Sequence, residues 1–335
     1  MIRVLVIGGT RFVGYQVAWR LVARGDSVTL LNRGNHPDPF GPRVERIVAD
    51  RRGRDFGSAL ERRTFDAVVD FAGFDGQDAE SAVDALSGRT GHYIFISSGQ
   101  VYLVLDGERR PAIRPTPETR YDGPVMEAPS DPRDLAEWRY GVGKRAAEDV
   151  LSRAYAEHGF PATRLRLPMV NGERDPHRRI EGYLRRILDG GPLLLPDGGK
   201  HPVRHVYGAA VAQAIVGMLG RQDTFGEPFN LAQDEMPTLR SFLESLGRLV
   251  GASPEILAVP RASLLAAGLR PEAASAFSDP WMSCLDPARA KEKLGFSHEP
   301  LEAYLGKIVA SYLAAIPPDP PENYLQRPQE LALIR

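Results

Sequence analysis

The hydrophobic pattern along the chain switches between two periods. Val4-Leu5-Val6-Ile7 is an unbroken apolar run that ends in Gly8-Gly9. After Thr10-Arg11-Phe12-Val13-Gly14 it gives way to Val17-Ala18-Trp19-Arg20-Leu21-Val22. The run predicts a buried strand, a glycine turn and a helix. Gly25 suits the end of that helix. Further strands are predicted at Ser27 to Leu31, Val44 to Ala49, Ala67 to Gly73, Tyr93 to Ser98 and Phe160 to Leu167. Helices are predicted at 56–63, 77–86 and from Leu135 to about His158. Strands separated by helices at this rhythm predict an α/β fold with a doubly wound parallel sheet.

Beyond Pro168 the texture is looser. Helices are predicted at 178–189, 208–220, 239–250 (capped by Thr238), 287–294 (started by Asp286 and ended by Gly295) and 300–315. Short strands are predicted near 202–207 and at Phe229-Asn230-Leu231. This divides the chain into a first domain over 1–167 with returns from about 202–220, a second over 168–315, and a Pro-rich tail over 316–335. The tail either docks or is disordered. The proline-rich stretch 103–134 predicts a long loop, read either as a lid or binding loop or as a partly disordered insertion.

Composition narrows the class. The chain has 335 residues, 43% hydrophobic and 25% charged, with a formal charge of −1. These are soluble-globular values with no global drive toward nucleic acid or acidic membranes. Cys284 is the single cysteine, so no internal disulfide forms, which fits a reducing cytoplasm. No apolar run reaches membrane-spanning length, and residues 1–7 read as a strand rather than a signal peptide. The seven histidines are scattered without metal-ligand spacing, so no metal is expected.

The candidate chemistry sits at strand ends. In doubly wound sheets ligands bind outside the carboxyl ends of the strands. Gly8 to Gly14 opens a helix whose N-terminus suits a phosphate. Where a bound dinucleotide presents its adenosine ribose, a carboxylate would favour NAD(H). The chain has Asn32 and Arg33 instead, with Arg11 able to lie close by. NADP(H) is therefore expected over NAD(H); the alternative is that both arginines are solvated. Asp50 could bond an adenine amino group. Arg51, Arg52 and Arg54 read as a solvated loop or an anion patch. Ser98 ends the fifth strand, and Tyr140 and Lys144 share one helical face at i and i+4. A nearby ammonium lowers the phenol's pKa from about 10, suiting Tyr140 to proton exchange with a hydroxyl or carbonyl. The arginine pairs Arg178-Arg179 and Arg185-Arg186 read as solvated helix faces. Arg204 reads as a phosphate contact or a surface ion pair. His205 and Tyr207 read as pocket or core, and Trp138 and Trp281 as packing residues.

Four pieces carry a resemblance: Gly8-Gly9-Thr10-Arg11-Phe12-Val13-Gly14, Ser97-Ser98-Gly99-Gln100-Val101-Tyr102, Tyr140-Gly141-Val142-Gly143-Lys144 and Leu165-Arg166-Leu167-Pro168-Met169-Val170-Asn171-Gly172. Val203-Arg204-His205-Val206-Tyr207 and Gly226 to Leu231 match more weakly. Over about residues 1–315 the chain resembles an extended short-chain dehydrogenase/reductase of the NAD-dependent epimerase/dehydratase type. The resemblance implies a Rossmann domain, a smaller C-terminal α/β substrate domain, and catalytic Ser98, Tyr140 and Lys144. It implies cofactor contacts from Gly8, Thr10, Arg11, Phe12, Val13, Gly14, Asn32, Arg33, Asp50, Ala72, Tyr140, Lys144 and Pro168. Substrate contacts would come from Gln100, Tyr102, Asn171 and Arg204. Members are often homodimers joined through helices here placed at 77–86 and 135–158.

The departures are informative. Arg11 stands where a glycine is usual, and Gly-Gly-Thr-Arg-Phe resembles an atypical branch that includes chloroplast stem-loop RNA-binding proteins. Gly99-Gln100 stands where dehydratases carry an Asp-Glu pair, so elimination of water is not expected. Met169 replaces a common asparagine, and Gly208 to Val211 lacks acidic residues, which weakens the case for a standard nucleotide-sugar. The expectation is an NAD(P)-dependent oxidoreductase or epimerase acting on a hydroxyl or keto carbon of a sugar or nucleotide-sugar. The rival is a non-catalytic member that binds RNA or senses dinucleotide.

Overall fold

A computed structural model describes residues 1–106, 114–199 and 202–334. The chain begins β1 (Arg3–Ile7), α1 (Phe12–Arg24), β2 (Ser27–Asn32), β3 (Val44–Val48), α2 (Asp55–Leu60), β4 (Ala67–Asp70) and α3 (Gly76–Leu86). It continues β5 (Tyr93–Ser98), α4 (Gln100–Leu103), α5 (Pro132–His158), β6 (Ala162–Leu167), β7 (Met169–Asn171), α6 (Arg179–Leu188) and β8 (Leu193–Pro196). Then come β9 (His205–Tyr207), α7 (Gly208–Met218), β10 (Pro228–Asn230), α8 (Leu239–Leu249), β11 (Ile256–Val259), α9 (Arg261–Ala266) and α10 (Pro271–Ala274). The last helices are α11 (Ala288–Leu294), α12 (Leu301–Ala314) and α13 (Arg327–Leu333).

The chain forms two compact units. The first comprises Met1–Pro168, Gly208–Ala232 and Ser283–Ser297. Its seven-stranded sheet has the order β10-β6-β5-β4-β1-β2-β3, with every neighbour parallel. This is a Rossmann-type α/β sheet. Val4 to Ile7 are buried on both faces, as a central parallel strand requires. Leu5 and Ile7 join Val68, Phe95, Ala82, Leu86, Ala147 and Leu151 in one core beneath α2, α3 and α5. Val17, Ala18 and Leu21 bury the inner face of α1, which packs beside α7. The strand order reverses at β1, so β1 and β4 open the crevice at their carboxyl ends.

The second unit comprises Met169–Tyr207, Gln233–Met282 and His298–Arg335. It holds two small parallel pairs, β7 with β9 and β8 with β11. His205 and Tyr207 are core residues there: His205 Nδ1 lies 2.7 Å from the Tyr304 phenol oxygen, and Tyr207 stacks on Tyr304 with ring centroids 5.1 Å apart.

Several expectations change. β4 stops at Asp70, not Gly73, because the Asp70 carboxylate turns back to accept the Ala72 N–H. α5 starts at Pro132, three residues early, because Asp131 caps it through the Arg133 and Asp134 N–H groups. The loop read over 103–134 is entered from a short helix, Gln100–Leu103. Residues 114–131 are clamped to the first unit: Tyr121 donates to Asp149 at 2.8 Å and is flanked by the Arg145 and Arg166 guanidinium groups. Residues 107–113 lie outside the described part. The return to the first unit runs over Gly208–Ala232, and a second return, Ser283–Ser297, carries no local signal. Up to Ile334 the tail docks. Arg186, read as solvated, is 1% exposed and donates to both Glu330 oxygens at 2.9 and 2.7 Å.

Candidate active site

The turn after β1 is shaped by its glycines. Gly8 adopts φ +84°, the left-handed region that glycine tolerates, and its N–H donates to Leu31 O at 2.9 Å. A Cβ on Gly14 would meet Gly8 O at 2.9 Å, so only glycine lets α1 start this close to the turn. Arg11 is the N-cap and makes no side-chain capping bond. Phe12 sits at φ 47°, a strained position for a side-chain-bearing residue. The first-turn N–H groups of α1 and its positive dipole end therefore lie at the carboxyl end of β1.

Ser98 ends β5, and α5 brings Tyr140 and Lys144 beside it. The Ser98 hydroxyl lies near enough to the Tyr140 phenol to act on its pKa, while Ser98 Oγ accepts the Gln100 N–H at 3.2 Å. The Tyr140 ring is 36% exposed. Lys144 is buried, donating to Gly73 O at 2.5 Å and Ile96 O at 2.7 Å. Burial lowers the Lys144 pKa to about 8. Burial also raises that of Tyr140; the Ser98 hydroxyl opposes this and the Glu137 charge adds to it. The expected lowering of Tyr140 by Lys144 is thus not the arrangement found: the ammonium is committed to two backbone carbonyls.

The remaining candidates fall into three groups. Gly8, Thr10 to Gly14, Asn32, Arg33, Asp50, Ala72, Ser98 and Pro168 follow or end β1 to β6 at the same edge of the sheet. There Asn32 Oδ1 accepts the Gly34 N–H at 2.8 Å, and Asp50 Oδ1 accepts the Arg52 N–H at 3.0 Å. Arg11 and Arg33 are exposed. Gln100 and Tyr102 lie in or beside α4. Tyr102 is 2% exposed and bonds Asn230 at 3.0 Å and Arg166 at 2.6 Å, so it belongs to a buried network rather than a substrate surface. Asn171 and Arg204 are buried in the second unit. Arg204 is no surface ion pair: its Nη1 donates to Met282 O at 2.6 Å.

Two polar clusters escaped the sequence reading. Arg51 is buried, not solvated; it pairs with Asp70 and donates to Asp78 O at 2.5 Å. Glu148, one turn past Lys144, accepts from Ser97 Oγ at 2.5 Å and from Arg166 Nη2 at 2.6 Å. Burial works to raise the Glu148 pKa, but Arg166 prevails and holds it below the usual carboxylate range. The i+4 spacing from Lys144 was the available signal. Glu137, discussed below, gave none. Among the described residues no cluster of His, Cys, Asp and Glu could hold a metal. No described helix is long and apolar enough to cross a membrane.

Comparison with known proteins shows what the chain is similar to. Residues 84–232 match the NAD dependent epimerase/dehydratase family. The chloroplast stem-loop binding protein of 41 kDa b from Arabidopsis thaliana is 26% identical over 270 residues, covering 76% of this chain and 65% of that protein. The structure of UDP-glucose 4-epimerase from Thermotoga maritima with UDP-glucose superposes with a TM-score of 0.72 at 21% identity, covering 94% of this chain and 100% of that one. The dTDP-glucose 4,6-dehydratase of Streptomyces venezuelae, with NAD bound, gives a TM-score of 0.71 at 19% identity over 93% of this chain and 97% of that one. At these identities the structural likeness speaks for the fold. Taken with the matched stretch, it makes the chain similar to proteins of the NAD dependent epimerase/dehydratase family, with which it shares the Rossmann-type α/β fold.

Proposed function

We propose that the protein is an NAD(P)-dependent oxidoreductase or epimerase acting on a hydroxyl or keto carbon of a sugar or nucleotide-sugar. The observation that carries this reading is Tyr140 on α5 beside Ser98 at the end of β5, with the buried Lys144 one turn on, at the sheet edge that also holds the glycine turn. The residues fit a dinucleotide. Gly14, where a Cβ would collide with Gly8 O, lets α1 start directly against the turn, and the α1 N-terminus offers N–H groups to a diphosphate. When bound, the nicotinamide would supply the redox chemistry.

The chain's own residues then divide the work. Ser98 bonds the substrate oxygen and fixes its position. Tyr140 Oη passes a proton to that oxygen in reduction and takes one in oxidation. With its pKa raised by desolvation of the phenol and the Glu137 charge, Tyr140 is ready as an acid; as a base it needs higher pH. Lys144 Nζ is the group to hold the nicotinamide ribose. The absence of a carboxylate beside Asn32 and Arg33 supports NADP(H) over NAD(H), although the solved dehydratase cited above carries NAD. Titrating the purified protein with both dinucleotides tests this: tighter NADP(H) binding supports the assignment and tighter NAD(H) binding reverses it. A homodimer through α3 and α5, and a substrate-binding role for the second unit, belong to the same reading.

A second reading is favoured by the stem-loop binding relative: a non-catalytic protein that binds RNA. It requires RNA affinity that falls steeply with salt and indifference to Tyr140→Phe. The formal charge of −1 weighs against it.

A further inference from the structure

A carboxylate stands beside Tyr140. Glu137 lies one turn earlier on α5, on the same helical face by its i, i+3 spacing. It accepts a hydrogen bond from the Gln100 side-chain amide, two residues after Ser98. Its negative charge acts on the Tyr140 phenol. Gln100 is 8% exposed, whereas Glu137 is half-buried. Ser98, Gln100, Glu137 and Tyr140 therefore form one polar cluster at the carboxyl end of β5. The sequence places no carboxylate at Gly99-Gln100; the fold brings one there from another element.

A carboxylate can accept about four hydrogen bonds, so Glu137 can take a donor from a ligand in addition to the partners that hold it, Gln100 among them. Resting on the oxidoreductase reading, we propose that Glu137, held by Gln100, is a substrate-contacting residue. It accepts a hydrogen bond from a hydroxyl or ammonium group next to the reacting carbon. The site therefore takes a sugar that carries a hydrogen-bond donor there, and it disfavours a carboxylate at that place through like-charge repulsion.

The test uses UDP-glucose, UDP-glucosamine and UDP-glucuronate as probes, with wild-type protein and Glu137→Gln checked for fold by circular dichroism. Binding is measured by calorimetry with and without added dinucleotide, and nicotinamide reduction is followed in parallel. The wild type should bind UDP-glucose and UDP-glucosamine, which carry a hydroxymethyl donor on the carbon beside C4, more tightly than UDP-glucuronate, which keeps the ring hydroxyls but carries a carboxylate at that place. Glu137→Gln should weaken the first two about ten-fold, the scale of one hydrogen bond to a charged group, and narrow the gap to the uronate. Unchanged binding of all three by Glu137→Gln overturns the role of Glu137 while leaving the oxidoreductase reading intact if reduction persists. No binding and no reduction with any probe in the wild type counts against both.

Discussion

Tyr140 and Lys144 divide two tasks that the sequence merged. The motif suggests an ammonium lowering a phenol's pKa. In the fold Lys144 is held by two backbone carbonyls and Tyr140 leans on Ser98. Tyr140→Phe should keep the fold and lower kcat by about 10²- to 10⁴-fold, the usual share of a positioned acid or base, as read from nicotinamide absorbance. Lys144 gives a pH prediction. With its pKa lowered by burial to about 8, it is charged below that pH and neutral above. Dinucleotide affinity should therefore fall as pH rises through about 8; a Lys144→Met variant should show weak, pH-independent binding. A wild-type affinity that stays flat from pH 7 to 9.5, as an ordinary lysine near 10.4 would allow, would remove Lys144 from the cofactor site.

At the scale of elements, α5 is hooked to β5 at three successive turns. Tyr140 meets Ser98, Lys144 meets Ile96 O and Glu148 meets Ser97. Arg166 on β6 completes the last hook. Glu148→Ala leaves a buried guanidinium uncompensated and should cost about 3–5 kcal/mol in urea unfolding. His92 links β5 to β6: its Nε2 lies 2.8 Å from Thr163 Oγ1, and its Nδ1 accepts the Gly220 N–H at 3.1 Å. Burial lowers its pKa from 6.5 to about 4. Between those values the unfolded chain takes up a proton that the folded chain resists, so stability falls as pH drops. Urea midpoints from pH 7 to 4 should decline, and His92→Asn should flatten part of that decline; an unaltered slope would show that His92 is not its source.

The same scale explains what was legible in the sequence. The strands and helices of the first unit follow from local periodicity, and Thr238 caps its helix as the pattern implies, accepting from the Ser241 N–H at 3.1 Å. Arg51 and Arg186 look like surface charge because their partners lie elsewhere along the chain; Glu330 is 144 residues from Arg186. β8 and β11, each four residues long, are not predicted; β8 is a Leu-Leu-Leu-Pro run with no alternation to mark it as a strand. In the site, Ser98, Tyr140 and Lys144 could be picked out by the Tyr-Lys spacing together with its place on the helix after a strand that ends in Ser97-Ser98. Glu137 could not, because its meaning depends on where Gln100 points.

For the whole molecule, the account rests on the first unit holding a dinucleotide at the carboxyl edge of its sheet. Arg11 and Arg33 bear on which one: Arg33→Ala should weaken NADP(H) binding and leave NAD(H) unchanged, since only the former carries a 2′-phosphate. Equal effects on both would show that Arg33 does not read that phosphate. Light scattering should give the mass of a dimer, and a monomer would contradict the assembly inferred through α3 and α5. The central claim is tested most directly by native mass spectrometry of the purified protein, alone and after addition of NAD and NADP. The account predicts one dinucleotide bound per chain. A chain that carries neither, before or after addition, would contradict it.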